Sequence, residues 1–145
     1  MVTGWSVVLF VHVLSAMVWV GGQLTLSLLW LPLLRRRLPV GLHAAILAGM
    51  GRRFGLYTVA VFVPVQVGSG ALLAVHHGVT FAELGRPGYG RTLATKLGVF
   101  VVVMVVSGLH GWAHGAGRVA LARSLAVGTL IGSVLIVLLA SALAG

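Results

Sequence analysis

Six histidines and a single lysine hold most of the chemistry open to this chain. His12, Ser15, Trp19, Gly22 and Gln23 are three and four residues apart, so on a helix they share one face. Gln66, Ser69, Leu73 and His76 or His77 repeat the pattern, and Lys96, Val103, Ser107, His110 and His114 fall in a narrow angular range. Neutral imidazole ligates haem iron or copper and passes protons. All three rows lie in apolar stretches, where hydrocarbon cannot satisfy a polar side chain, so they must face protein. An ionisable group at membrane depth is costly and marks a functional site by default. The competing roles are plain ones: an interhelical hydrogen bond for His12, snorkelling to the headgroups for Lys96, and solvation for His43, His110 and His114. Gly21 and Gly22 allow close helix packing, or leave the side-chain-free space a planar cofactor needs.

The elements that position these residues follow from hydropathy. Of 145 residues, 59% are hydrophobic and 8% charged, against about 25% charged in soluble domains. A bilayer takes about 20 apolar residues per helix. Four runs qualify, at roughly 5–31, 54–75, 92–113 and 121–143. Pro32 and Arg35, Arg36 and Arg37 read as the end of the first. The predicted fold is an all-α integral membrane protein, an antiparallel four-helix transmembrane bundle forming one domain over 1–145. The segment 38–53 is either a short interfacial helix or an extension of the second span, and 76–91 is a turn-rich loop. Span four carries Ser124, Gly128 and Gly132, a small-residue row suited to close packing, and reads as a wall or an oligomer contact.

The formal charge is +9, with Glu83 the one acid. The cations are confined to gaps between apolar runs, which argues against nucleic acid and for a lipid bilayer as partner. Arg35, Arg36, Arg37, Arg52, Arg53, Arg118 and Arg123 fall on one side; Arg86, Arg91 and Lys96 fall on the other. The positive-inside rule then places both termini outside the cytoplasm. Trp5 and Tyr89 meet the outer interface; Trp30, Tyr57 and Trp112 meet the inner one. The N-terminal apolar run is too long for a cleaved signal peptide and reads as a retained span. The absence of cysteine excludes disulfides, thiolate metal sites, covalent c-type haem and cysteine nucleophiles. Serine-hydrolase and two-carboxylate chemistries lack their acids.

Helical rise sorts the polar groups by depth. His110 is 14 residues beyond Lys96, about 21 Å along a helix. His12, His76, His77, Arg91 and Lys96 form an outer layer; His110, His114 and His43 form an inner one. Haem b would take His12 and His76 as a bis-histidine pair, with Arg91 and Lys96 on its propionates, or His110 or His114 for a second haem. Copper would use imidazole with Met17 and Met104, or the His110/His114 pair, whose i,i+4 spacing can chelate a metal. Proton or anion handling is the third chemistry open to these groups.

His12, Trp19 and then Gly21-Gly22 resemble the first span of the CopD-like and HemJ-like group of bacterial membrane proteins. Gly88-Tyr89-Gly90-Arg91-Thr92-Leu93, followed by Lys96-Leu97, is similar to the CopD pattern opening a span. The four-span length is closer to HemJ, the protoporphyrinogen oxidase type. The resemblance implies a b-type haem protein in the bacterial cytoplasmic membrane, with His12 and Lys96 as its functional residues. The expected role is electron transfer or quinone-linked redox as a membrane oxidoreductase, with a quinone or porphyrin as partner. His12 would be an axial ligand, Lys96 and Arg91 would bind propionates or an anionic substrate, and Trp19 and Gly22 would border the cofactor. The CopD side of the group implies copper transport or tolerance as the alternative. A non-catalytic subunit of a larger membrane complex, or of a homo-oligomer docked through span four, is the third reading.

Overall fold

A computed structural model describes residues 2–144, and it is all-helical, with no strand among the described residues. Four helices are long and apolar enough to cross a membrane. We name them α1 (Gly4–Arg37), α2 (Val40–His76), α3 (Tyr89–Gly115) and α4 (Val119–Ala144). They group into two compact units, Met1–His76 and His77–Gly145.

In the first unit α1 starts at a capping box. Thr3 Oγ1 accepts from the Ser6 amide at 3.2 Å, and the Ser6 hydroxyl accepts from the Thr3 amide at 3.3 Å. Two donors that the first helical turn leaves open are thereby satisfied. Contrary to the sequence expectation, Pro32 does not end the span. The helix widens to a π turn over Thr25–Trp30, where the Leu31 amide bonds back to the Leu26 carbonyl. It then runs on through Pro32 to Arg37. Proline lacks an amide hydrogen, and a widened turn just before it re-routes the local ladder.

The segment 40–53 is likewise helical, an extension of the second span rather than a separate interfacial helix. α2 has its own π turn at Thr58–Phe62. The two helices hold 34 and 37 residues, about 50 and 55 Å of rise, against about 30 Å of hydrocarbon. The end at the Leu38–Pro39 connection carries Arg35, Arg36, Arg37, Arg52 and Arg53.

In the second unit the turn-rich loop condenses into a 3-10 turn, Phe81–Gly85, capped by Thr80 and Glu83. α3 closes on a left-handed glycine, Gly117 at φ 70°. The Arg118 amide reaches the Ala113 carbonyl at 2.9 Å and the Gly117 amide the His114 carbonyl at 3.2 Å. This double bond pattern, with glycine at the left-handed position, satisfies the last carbonyls and turns the chain into α4.

Both units are inside-out relative to a soluble protein. Thr58, Gln66, Ser69, Thr129 and Ser133 are buried, while Val7, Leu29, Val59, Val101 and Leu138 are exposed. That is the distribution expected where hydrocarbon is the solvent.

Candidate functional site

α1 and α2 bring two of the polar stripes together. Contacts run from Trp5–His76 through His12–Ser69 and Ser15–Gln66 to Trp19–Thr58, so numbers rise on α1 as they fall on α2. The 3.6-residue period puts His12 and Ser15 on the face that meets Gln66 and Ser69.

His12 sits at the centre. Its Nδ1 is 2.8 Å from Ser69 Oγ, and its Nε2 is 3.1 Å from Gln66 Nε2. An amide nitrogen only donates, so the Gln66 N–H points at a lone pair on His12 Nε2. With the amide so placed, the ring hydrogen lies on Nδ1, toward Ser69. The Ser69 hydroxyl passes its own hydrogen to the Val65 carbonyl at 2.5 Å. Ser15 Oγ donates to Gln66 Oε1 at 2.6 Å and also lies 3.1 Å from the His12 carbonyl. Each group thus has a consistent donor or acceptor, as a buried polar cluster requires. Gly70 completes the cradle: a Cβ there would come within 3.2 Å of His12 Cε1. An apolar groove of about 290 Å³ between the two helices, bordered by Val8, Val11, Pro64 and Leu72, reaches Ser69.

Trp19 is part of a packing anchor. It is 2% exposed, its ring stacks on Phe62 at 4.5 Å and 6°, and its N–H donates to Thr58 Oγ1 at 3.1 Å. Thr58 in turn donates to the Phe54 carbonyl at 2.9 Å. Both faces of the expected cofactor role are taken: the indole is covered and its donor is used. Gly22 admits Phe54, whose Cε2 would lie 2.7 Å from a Cβ at that position. Its missing side chain serves helix packing.

His76 stacks on Trp5, with centroids 4.0 Å apart. That contact is seven residues along α2 from Ser69, about 10 Å of rise. The expected His12/His76 pair on one iron therefore does not form at a common level. His77 is exposed in the turn beyond α2. His43 lies on the extension of α2, with its Nδ1 buried and without a hydrogen-bond partner among the described residues. Met17 is 65% exposed on the outside of α1, away from His12.

In the second unit Arg91 is exposed and Lys96 half-buried on the first turns of α3. His110 Nδ1 lies 2.8 Å from the Ala122 carbonyl of α4, and its ring centroid is 6.5 Å from that of His114. Among the described residues no group of three or more His, Cys, Asp or Glu side chains is assembled to hold a metal ion.

Sequence reasoning found His12, Ser15, Gln66 and Ser69 by their helical spacing. It missed Thr58, whose signal was its place four residues after Phe54 on the face opposite Trp19. It also missed Gly70 as the neighbour of the imidazole.

The comparisons with known proteins give one informative relative. An uncharacterized protein of Aquifex aeolicus (strain VF5) is 37% identical over 106 residues, covering 72% of this chain and 67% of the relative. The chain belongs to the family of that protein. No family model matches the chain, and no solved structure matches it.

Proposed function

We propose that this is a multi-pass protein of the bacterial cytoplasmic membrane, in the CopD-like and HemJ-like group, that binds b-type haem through His12 and serves electron transfer or quinone-linked redox. Its four spans cross in alternating directions, with both termini outside the cytoplasm. The orientation of the His12 ring carries this proposal. Metal-ligating histidines almost always donate their other ring hydrogen to a neighbour, which fixes the tautomer. His12 Nδ1 lies 2.8 Å from Ser69 Oγ, an arrangement in which Nε2 becomes the ligating nitrogen once Gln66 moves aside.

The donor set fits ligation by one histidine. Gln66 holds the Nε2 lone pair, so its side chain has to swing off the ring before His12 takes a metal. Ser69 and the Val65 carbonyl then keep the imidazole oriented. His76, the other histidine of the expected pair, stacks on Trp5. Lys96 is the second residue that the resemblance makes functional, and Arg91 lies one turn before it on α3. When bound, the haem supplies one-electron chemistry, and the protein supplies ligation and a dry apolar surround.

The test is a visible spectrum of protein purified in detergent from haem-replete cells. A Soret band should be present and should be lost in His12→Ala, while Trp19→Phe keeps it. A colourless wild-type preparation overturns the proposal.

A further inference from the structure

We propose that Arg52 and Arg53 of α2 form a site for the phosphate of an anionic phospholipid, with an acyl chain laid along the exposed row of Leu56 and Val59. The site rests on the membrane-spanning reading of the chain and is independent of haem.

The contacts between α1 and α2 set the level of these arginines. Trp19 meets Thr58, and Gly22 admits the ring of Phe54. Numbers fall on α2 as they rise on α1, so Arg53 and Arg52 lie level with Gln23 and Leu24. At the other end of the pair Trp5, 40% exposed, stacks on His76, and tryptophan concentrates where membrane meets water. Leu24 is 19 residues from Trp5, about 28 Å of rise, against about 30 Å of hydrocarbon. The second interface therefore falls at Arg52 and Arg53. Arg37 is 13 residues beyond Leu24, about 20 Å further out.

The arginines have no anion of their own. Both are exposed, and residues 1–76 contain no Asp or Glu. The one acidic side chain of the sequence, Glu83, belongs to the other unit and pairs with Arg86 at 3.7 Å. A guanidinium offers parallel N–H donors that match two phosphate oxygens. Its aliphatic stem lies along apolar surface while the charged head reaches the phosphates.

The helix face below the arginines fits the rest of a lipid. Arg52, Leu56 and Val59 follow at i, i+4 and i+7, on one side of α2, and the two apolar side chains are 69% and 72% exposed. Gly51 and Gly55 lie beside them, and a Cβ at either would meet nothing within 4 Å. The strip is bare where a chain must approach the backbone. The charge selects the headgroup. A zwitterionic lipid already neutralises its phosphate with its own cation, whereas an anionic one brings a net charge for the arginines to meet.

The experiment is native mass spectrometry of the detergent-purified full chain in an equimolar mixture of dioleoylphosphatidylglycerol and dioleoylphosphatidylcholine. A phosphatidylglycerol molecule should be retained in preference to phosphatidylcholine. The double variant Arg52→Gln/Arg53→Gln should weaken its retention by about thirtyfold, the worth of two arginines at an anionic surface. Arg52→Lys/Arg53→Lys keeps the charge and should recover most of it. The triple variant Arg35→Gln/Arg36→Gln/Arg37→Gln removes more charge, yet should change retention by less than about threefold, because charges some 20 Å away are screened at physiological salt. Inorganic phosphate should not displace the lipid, since it brings no acyl chain. Helicity by circular dichroism reports whether each variant folds. Equal retention of both lipids, displacement by inorganic phosphate, or a loss that follows the number of arginines removed rather than their position overturns the proposal. The Soret band is read separately, so a colourless protein that still selects phosphatidylglycerol would overturn the haem reading alone.

Discussion

The two helix pairs solve one problem in different ways. Lipid offers helices no hydrophobic reason to associate, so contact must come from hydrogen bonds or from close packing. In α1 and α2 the contact is a ladder of polar and aromatic side chains: His12, Ser69, Gln66, Ser15, then Trp19 on Thr58 and Phe62. In α3 and α4 it is backbone proximity. Gly132 admits Val103, whose Cγ2 would clash with a Cβ there, and at Gly128 a Cβ would lie 3.7 Å from Val106 Cγ1. Buried Ser133 and Thr129 donate to carbonyls of their own helix, of Thr129 and Leu125. Polar side chains join the first pair at several levels; in the second, His110 bonds across to the Ala122 carbonyl near one end, and along the glycine row two backbones approach closely. A pair joined by side chains can present a reactive group at the join. A pair joined by missing side chains is a better scaffold.

Four experiments can break or sharpen that contrast. Trp19→Ala should destabilise the first pair most, by about 3–5 kcal/mol, since it removes the stacked, hydrogen-bonded centre of the contact. Reversible unfolding in mixed micelles measures it, and Trp19→Phe should recover most of the loss. Gly132→Leu should cost about 1–3 kcal/mol by overpacking against Val103 and should weaken the second pair alone. If it unfolds the chain no more readily than Gly98→Leu, at an open position on α3, the glycine contact is not what holds that pair. A double-mutant cycle of His12→Ala with Gln66→Ala should give a coupling of about 0.6 kcal/mol and at most about 1.7, the range of hydrogen bonds between membrane helices. A coupling near zero would mean that the His12–Gln66 bond contributes orientation without stability. Smallest of all, Glu83→Gln removes the exposed Arg86 pair at 3.7 Å and should change stability by less than about 0.5 kcal/mol.

Much of this contrast was legible in the residues. The four spans follow from hydropathy, and the facing of His12 and Ser15 toward Gln66 and Ser69 follows from helical period. The Gly128–Gly132 row was recognisable as a packing row. Its partner was not, because a small-residue stripe carries no mark of what it meets; the structure uses it against α3, within the unit. Helix continuation past Pro32 was hidden by a residue that ordinarily stops helices, whereas continuation through 40–53 was one of the two readings that segment allowed. The role of Trp19 was hidden for another reason. Its N–H and ring need Thr58 and Phe62 together, four residues apart on a stretch that is not a regular α-helix. The inner and outer layers were drawn from residue counts along ideal spans, and the real α1 and α2 are longer than the bilayer is thick.

The widened turn at Thr58–Phe62 sets the phase of α2. Each α-helical residue advances by about 100°, and an i→i+5 turn absorbs an extra residue without breaking the helix. Above the turn, Gln66 and Ser69 face His12; below it, Thr58 and Phe54 face Trp19 and Gly22. Deleting Ala60 there would keep the hydropathy and every polar side chain, yet rotate one half of the helix by about 100° against the other. The imidazole and the indole could then no longer both meet their partners. One residue's worth of angular offset keeps two otherwise unrelated contacts on a single face.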